Sequence, residues 1–302
     1  MRAVVTGGTG FVGRRLLSKL DRPVVLSRDA AKAKKSLADN TVEVIAWNPL
    51  AEAAPSSALD GAEAIFHLAG DSVAGGRWTK RKKQRIKESR VLGTRNLIAG
   101  LRQLRNKPRV LVSASAVGYY GSRGEEEIDE LAPPGADFLA EVCSAWEKEA
   151  LAAGELGIRV VTIRIGLVLG EKGGALSKML PPFYMGLGSP LGIGDQYMSW
   201  VHLDDLVELM LFAAHEQSLS GPVNGVSPQP VTNREFTKTL GAVLRRPTFL
   251  PPLPGFVLKA MLGEFGGVLL DSQRVYPRSA LSAGFAFRFP ALEGALRDVL
   301  HR

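Results

Sequence analysis

A glycine-rich stretch near the amino terminus decides the fold, and it reads Thr6-Gly7-Gly8-Thr9-Gly10-Phe11-Val12-Gly13. It contains Gly-x-Gly-x-x-Gly counted from Gly8 and the wider Gly-x-x-Gly-x-x-Gly counted from Gly7. One glycine permits a sharp strand-to-helix turn, a second lets the backbone approach a pyrophosphate, and a third lets the helix pack on the strand. The stretch therefore predicts a turn that holds a dinucleotide, with its diphosphate at the helix N-terminus.

Short runs rich in valine and isoleucine alternate with helical patterns through the first half of the chain. They lack period-two alternation, which is typical of parallel strands buried on both faces. We predict strands at residues 2–6, 24–26, 42–47, 64–68, 110–113 and 160–165. This repetition indicates an α/β fold, namely a Rossmann-type doubly wound parallel sheet with right-handed crossovers.

The pattern changes after about residue 170, where glycine, proline and aromatic residues become frequent. We therefore predict a Rossmann core over residues 1–170 and a smaller C-terminal substrate lobe over residues 171–302. Within that lobe, residues 249–300 are expected to form a small domain. Residues 196–226 are expected to complete the sheet.

Composition bounds the classes of protein that remain. The 302 residues include one cysteine, Cys143, which excludes a disulfide within the chain and fits a reducing compartment. No apolar run approaches the roughly 20 residues that span a bilayer, and the chain opens on a predicted strand instead of a signal peptide. We expect a cytoplasmic protein that is not bound to membranes.

Much of the net charge of +8 comes from residues 77–90, which hold eight basic side chains and one acidic one. Such a run could bind nucleic acid. No nucleic-acid-binding motif accompanies it, so we expect a solvated helix face, or a face turned toward an anionic cofactor.

The end of the second predicted strand distinguishes the two nicotinamide dinucleotides. NAD-binding proteins usually place an acidic residue there to bind the ribose 2′-hydroxyl. This chain has Ser27 and Arg28, which can bind a 2′-phosphate, and Lys32 follows. Asp29 could serve NAD instead. We favour NADP(H).

Several further motifs resemble those of extended and atypical short-chain dehydrogenases/reductases. The resemblance is strongest to the epimerase-family (nucleoside-diphosphate-sugar epimerase-like) branch, which ends in a domain of unknown function. It rests on the glycine stretch and on His67-Leu68-Ala69-Gly70, Ser89-Arg90-Val91-Leu92-Gly93-Thr94, Gly118-Tyr119-Tyr120-Gly121, Gly173-Gly174-Ala175, Leu180-Pro181-Pro182-Phe183 and Gln273-Arg274-Val275-Tyr276-Pro277.

The resemblance implies NADP(H) and a set of residues that contact it. Leu68, Ala69 and Gly70 would line the adenosine and ribose, and Leu167 would border the nicotinamide. Arg90 stands where extended members have an asparagine, and Arg85 would approach the same cofactor. The full predicted set is Gly7, Thr9, Gly10, Phe11, Val12, Gly13, Ser27, Arg28, Leu68, Ala69, Gly70, Arg85, Arg90 and Leu167.

The sequence departs from the family at the catalytic pair. The family's Tyr-x-x-x-Lys positions are Leu139 and Cys143 here, so the general acid/base and its supporting cation are both replaced. Ser115 remains at the family's serine position, and Tyr119 and Tyr120 lie nearby in sequence. We predict that Ser115 polarises a carbonyl and that Tyr119 or Tyr120 supplies the proton.

Cys143 and His202 have two interpretations each. Cys143 could be a nucleophile, but a buried structural cysteine is commoner. His202 beside Asp204 and Asp205 could be catalytic or bind a metal, but its apolar flanks favour a structural role, and no histidine spacing matches a metal site.

Two functions follow from these residues. The first is an NADP(H)-dependent oxidoreductase or epimerase-like protein acting on a small carbonyl or sugar-nucleotide-like substrate. The second is an NADP(H)-sensing regulator that controls a protein partner, which the loss of the Tyr-x-x-x-Lys pair suggests.

Overall fold

The computed structural model describes residues 1–38, 41–74, 76–171 and 173–302. The strands are β1 (Ala3–Thr6), β2 (Val24–Ser27), β3 (Glu43–Ala46), β4 (Ala64–His67), β5 (Val110–Ala116), β6 (Glu127–Ile128), β7 (Arg159–Ile165), β8 (Leu167–Leu169), β9 (Tyr197–Met198), β10 (Trp200–His202), β11 (Gly221–Gly225), β12 (Val231–Thr232) and β13 (Arg274–Val275). The helices are α1 (Phe11–Leu17), α2 (Ala30–Leu37), α3 (Ser56–Leu59), α4 (Lys80–Gln103), α5 (Phe138–Leu151), α6 (Leu176–Tyr184), α7 (Leu203–His215), α8 (Asn233–Leu244), α9 (Gly255–Leu262), α10 (Phe265–Val268), α11 (Arg278–Ser282) and α12 (Leu292–Val299).

Within the described residues, the main sheet has seven strands in the order β11-β7-β5-β4-β1-β2-β3. Every neighbouring pair in it is parallel. The chain order reverses between β1 and β4, and ligands of such sheets bind outside the carboxyl ends of the strands at this reversal. The predicted α/β Rossmann-type fold is confirmed, and all six predicted strands are present in the sheet.

Both faces of the sheet are buried, which explains the lack of alternation in the strands. Val5, Phe66 and Val112 face one apolar core, which α1 and α7 cover. Their neighbours along the strands, such as Val4 and Ile65, face a second core beneath α4 and α5. Strand β11 is the outer strand beside β7 and lies inside the segment predicted to complete the sheet.

The later part of the chain builds a separate apolar cluster. Trp200 and Phe236 are fully buried in it, among residues of α6, α8 and α12. Strand β13 pairs with β6, so the C-terminal region is hydrogen-bonded to the loop that follows the fifth strand of the core. Across the described ranges, no helix combines the length and the apolar character that crossing a membrane needs.

Candidate functional site

The first strand-to-helix turn lies at the reversal of the sheet and is closed by backbone contacts. Gly7 has φ +72°, and a Cβ there would lie 2.7 Å from the carbonyl carbon of Leu68. A Cβ on Gly13 would lie 2.3 Å from the Gly7 oxygen. The positions where backbone contacts require glycine therefore belong to the wider motif counted from Gly7. A Cβ on Gly8 would contact only side chains, at 3.1 Å.

Helix α1 begins at this turn with its N-terminal amides directed away from the helix body. Gly10 is the N-cap residue and supplies no side-chain cap. The first-turn N–H groups of a helix have no intrahelical acceptors, so they are available to an anion. The turn thus has the shape and the donors that a diphosphate requires.

A buried hydrogen-bond chain fixes the loop after β4 against this turn. The Thr94 hydroxyl donates to the Arg90 carbonyl oxygen at 2.6 Å, so it accepts from Nε2–H of His67 at 2.9 Å. Nδ1 of His67 then accepts from the Thr6 hydroxyl at 2.7 Å, and that oxygen accepts from the Ala69 amide. Burial lowers the pKa of His67 to about 4, which keeps the ring neutral. Sequence reasoning missed this role of His67.

Arg90 and Arg85 hold the same loop from the side of α4. Arg90 Nη1 donates to the Asp71 carbonyl oxygen at 3.0 Å, and its guanidinium would lie 3.0 Å from a Cβ on Gly70. Arg85 and Lys82 donate to the Asp71 carboxylate at 3.0 and 2.9 Å. Both predicted cofactor contacts therefore border the loop, with their donors directed to Asp71 in this structure.

Other basic side chains of residues 77–90 join α4 to the C-terminal region. Arg77 donates to the Ala260 carbonyl oxygen, and Lys83 forms an ion pair with Glu264 at 2.5 Å. Five of the eight basic side chains, including those directed to Asp71, thus contact acceptors of the protein itself.

At the end of β2, Asp29 and Arg28 are the two candidates for recognising the ribose, and their environments differ. The Asp29 carboxylate caps α2 by accepting from the Lys32 amide at 2.9 Å. Arg28 between Ser27 and Asp29 is exposed. The Asp29 carboxylate, which would favour NAD, is therefore occupied in capping α2. Arg28, which would favour NADP(H), stays exposed at the end of β2.

The Ser115 side chain is buried and hydrogen-bonded inside the protein. Its hydroxyl donates to Glu147 Oε1 at 2.6 Å, and the residue is 3% exposed. Glu147 also accepts two hydrogen bonds from the Arg164 guanidinium, at 2.9 and 2.8 Å. Burial alone would lower the pKa of Arg164, but its interactions with Glu147 and Tyr120 outweigh burial and raise that pKa.

The two tyrosines of Gly118-Tyr119-Tyr120-Gly121 differ in accessibility. The Tyr120 hydroxyl donates to Asn224 Oδ1 at 2.7 Å and accepts from Arg164 Nη1 at 2.9 Å. Burial raises the pKa of this fully buried side chain to about 12. Tyr120 is therefore enclosed and the structure gives no support to it as a proton donor. Tyr119 is partly exposed, with the Arg164 guanidinium 3.5 Å from its ring centre.

The two positions of the missing catalytic pair both lie on α5. Leu139 packs against the backbone of Gly118, where a Cβ would be 3.2 Å from the leucine Cβ. Cys143 is buried, and burial raises the pKa of its thiol to about 11. A thiol that stays protonated is a poor nucleophile, so the structural interpretation of Cys143 is favoured.

His202 also has a structural environment. Its Nδ1 accepts from the Asp204 amide at 3.1 Å at the start of α7, and its ring packs 4.0 Å from that of Phe289. Among the described residues, no group of three or more His, Cys, Asp or Glu side chains is arranged to hold a metal ion.

Asp271, in the C-terminal region, provides a pH-dependent test of the fold. Burial, and then the charge of Asp137, raises its pKa to about 6, against an ordinary value of 3.8. Folding therefore favours the protonated carboxyl, and the native state loses stability as the pH rises through about 6. Asp271→Asn should raise Tm by roughly 2 °C at pH 7, for a screened cost of about 1 kcal/mol, and by less near pH 4. Calorimetric scans at both pH values measure the difference, and an equal shift at both would contradict it.

Comparisons with known proteins agree with this geometry. The sequence profile of the "NAD dependent epimerase/dehydratase family" matches residues 3–224. That of a domain of unknown function, DUF1731, matches residues 253–299. The epimerase family protein SDR39U1 homolog of Arabidopsis thaliana, described as chloroplastic, is 42% identical over 307 residues, covering 99% of this chain and 87% of that protein. The epimerase family protein YfhF of Bacillus subtilis is 37% identical over 306 residues, covering 99% and 98%.

Solved structures of epimerase-family proteins are also similar to this chain. The human epimerase family protein SDR39U1 (isoform 2), crystallised with NADPH, superposes with a TM-score of 0.89 at 32% identity, covering 100% of both chains. A UDP-glucuronic acid 4-epimerase from Bacillus cereus superposes with a TM-score of 0.78 at 15% identity, covering 100% of this chain and 98% of that one, which shows a shared fold.

Proposed function

The chain belongs to the NAD dependent epimerase/dehydratase family, and from this premise we propose that it is an NADP(H)-binding oxidoreductase or epimerase-like protein acting on a small molecule. The observation that carries the proposal is the turn at Gly7 and Gly13, where added Cβ atoms would meet backbone at 2.7 and 2.3 Å. Only glycine fits at these two positions, which is the close strand-to-helix packing that dinucleotide-binding turns require. The NADPH complex of the human relative supports the choice of nucleotide.

The bound nucleotide would supply a hydride, and the protein positions it. The predicted contacts are Gly10 to Gly13 for the diphosphate, Ser27 and Arg28 for the 2′-phosphate, and residues 68–70 for the adenosine side. Leu167 opens β8, just after the carboxyl end of β7, and would border the nicotinamide. The His67 chain keeps residues 68–70 fixed, so the nucleotide meets a preformed surface.

The choice between NADPH and NADH is tested by Arg28→Asp. We expect the ratio of the two affinities to fall about 10- to 100-fold, because a charge-assisted bond is lost and a carboxylate faces the 2′-phosphate. Calorimetric titration with each nucleotide measures the ratio. Arg22→Asp, which removes the same charge at the amino end of β2, should leave it unchanged. An unchanged ratio in Arg28→Asp would remove this residue from the account.

Tyr119 is the remaining candidate for contact with the substrate oxygen. We propose that its hydroxyl donates a hydrogen bond to the oxygen that gains negative charge, while Ser115 holds Glu147 in place. Tyr119→Phe should lower kcat about 10-fold with the Kd of NADPH unchanged, because one such bond is worth about 1.5 kcal/mol. A normal kcat in this variant would show that the hydroxyl has no part in turnover.

A regulatory role is the second candidate, and the bond from Ser115 to Glu147 favours it because the serine hydroxyl is engaged within the protein. In that case NADPH would bind without turnover of any acceptor, and its occupancy would change the affinity for a protein partner. Oxidation of NADPH by any acceptor at rates that depend on the protein would exclude it.

A further inference from the structure

Arg90 is a partly buried cation whose hydrogen-bond partners are neutral. Its Nη1 donates to the carbonyl oxygens of Asp71 and Ile86, at 3.0 and 3.2 Å. The Asp71 carboxylate is bound instead by Lys82 and Arg85. Across the described residues, no carboxylate lies within ion-pair distance of Arg90, and its Nε and Nη2 atoms donate to no protein acceptor. These two donors, and the charge they carry, are therefore available to a ligand.

The guanidinium of Arg90 lies between the loop after β4 and helix α5. A Cβ on Gly70 would lie 3.0 Å from its Cζ, and the centre of the Trp146 ring is 5.1 Å from that atom. Its charge also acts on the Cys143 thiol, where it opposes the effect of burial on the pKa. Cys143 stands where the family resemblance puts the missing lysine. Arg90 thus brings a positive charge from α4 to the neighbourhood of that position.

The order of the strands puts Arg90 on the nicotinamide side of the crevice. In the proposed complex the diphosphate lies at the turn after β1, and the 2′-phosphate lies at the end of β2. A dinucleotide crosses such a crevice at the strand reversal, with one nucleotide over each half of the sheet. The nicotinamide half then extends over β4 and β5, on the other side of β1. Arg90 contacts the loop that follows β4, so it borders this half.

The two oxidation states of the nucleotide differ by one positive charge on the nicotinamide ring. The ring of NADP⁺ is a cation, whereas the ring of NADPH is neutral. A positive side chain without a counter-charge repels the first and not the second. At protein-like dielectric constants, a like charge within several ångströms changes a binding constant about tenfold. Arg164, by contrast, is paired with Glu147 at 2.8 Å, so its charge is compensated.

We propose that Arg90 makes this protein selective for NADPH over NADP⁺. This inference rests on the NADP(H)-binding function proposed above. The free Nε and Nη2 donors bind hydroxyl groups of the nicotinamide ribose in both oxidation states, and the charge disfavours the oxidised ring. A tenfold preference makes the potential of the bound couple about 30 mV more positive. Occupancy by the two forms would then follow the ratio of NADPH to NADP⁺, as the regulatory candidate requires.

Calorimetric titration of the full chain with NADPH and with NADP⁺ measures this selectivity without turnover. We expect the parent to bind NADPH about tenfold more tightly than NADP⁺. Arg90→Met removes the charge from a long side chain and should bring the ratio of the two affinities close to one. Arg90→Lys keeps the charge and should retain most of the selectivity. Any disturbance of the loop after β4 affects both nucleotides, so it cancels in the ratio.

Arg95→Met is the matched control, because Arg95 lies on the same helix but is exposed and paired with Glu149. It should leave the ratio as in the parent. Equal affinities in the parent, or a ratio that Arg90→Met leaves unchanged, would overturn the inference while leaving nucleotide binding intact. Loss of selectivity in Arg90→Lys would also overturn it, since charge would not be its source. The parent and Arg90→Lys decide the question even where Arg90→Met does not fold. Binding of neither nucleotide would instead refute the proposed function.

Discussion

Replacing Glu147 with glutamine is expected to cost about 3–5 kcal/mol of the free energy of unfolding. The substitution keeps the shape of the side chain but leaves the Arg164 guanidinium, 3% exposed, without its counter-charge. It also removes the charge from the oxygen that accepts from Ser115 at 2.6 Å. Urea denaturation measures the loss as a lower midpoint with an unchanged slope.

The matched control is Glu293→Gln in α12. Glu293 accepts from Arg297 at 2.7 Å, but both side chains of this pair are more than half exposed. Exposed pairs one helical turn apart are worth only about 0.3–0.5 kcal/mol, so this variant should unfold almost like the parent. If Glu147→Gln cost no more than the control, the buried pair would not be a stabilising element of the site.

Gly13→Ala should weaken NADPH binding about 100-fold and destabilise the fold by roughly 3 kcal/mol. The new Cβ would stand 2.3 Å from the Gly7 oxygen, so α1 must move away from the turn. Helix and turn would then no longer present their amides to one diphosphate, and each such bond to a charged group is worth about 1.5–3 kcal/mol. Calorimetry gives the affinity, and thermal unfolding the stability.

Gly294→Ala tests whether the effect arises from the contact or from the loss of a helical glycine. Gly294 lies inside α12, and a Cβ there has nothing within 4 Å. Alanine favours a helix over glycine by about 1 kcal/mol, so this variant should be slightly more stable and bind NADPH normally. Normal binding by Gly13→Ala as well would show that the turn does not hold the nucleotide.

The nucleotide end of the site could be predicted from sequence because its determinants are local. The glycine turn and the strand before it are set by backbone geometry within a few residues, and the proposed role of Arg28 follows from its position directly after β2. The structure changed one detail, since the close backbone contacts fall at Gly7 and Gly13 while Gly8 meets only side chains. The structure also shows that Asp29 caps α2, whereas the sequence left open whether Asp29 binds the ribose.

The hydride end could not be predicted because its partners are remote in sequence. Ser115 bonds to a carboxylate 32 residues away, and Tyr120 to an amide 104 residues away. No local pattern shows that these hydroxyls are engaged inside the protein. The chain through His67 likewise joins residues 61 and 27 positions apart, so the sequence showed the motif and not its contacts.

The central claim is that the first strand-to-helix turn binds NADP(H), with the 2′-phosphate recognised at the end of β2. Calorimetric titration of the unmodified chain with NADPH and with NADH tests it most directly. The account predicts one site per chain and at least about tenfold tighter binding of NADPH, the value of one charge-assisted hydrogen bond. No heat and no thermal shift with either nucleotide at millimolar concentration would contradict it.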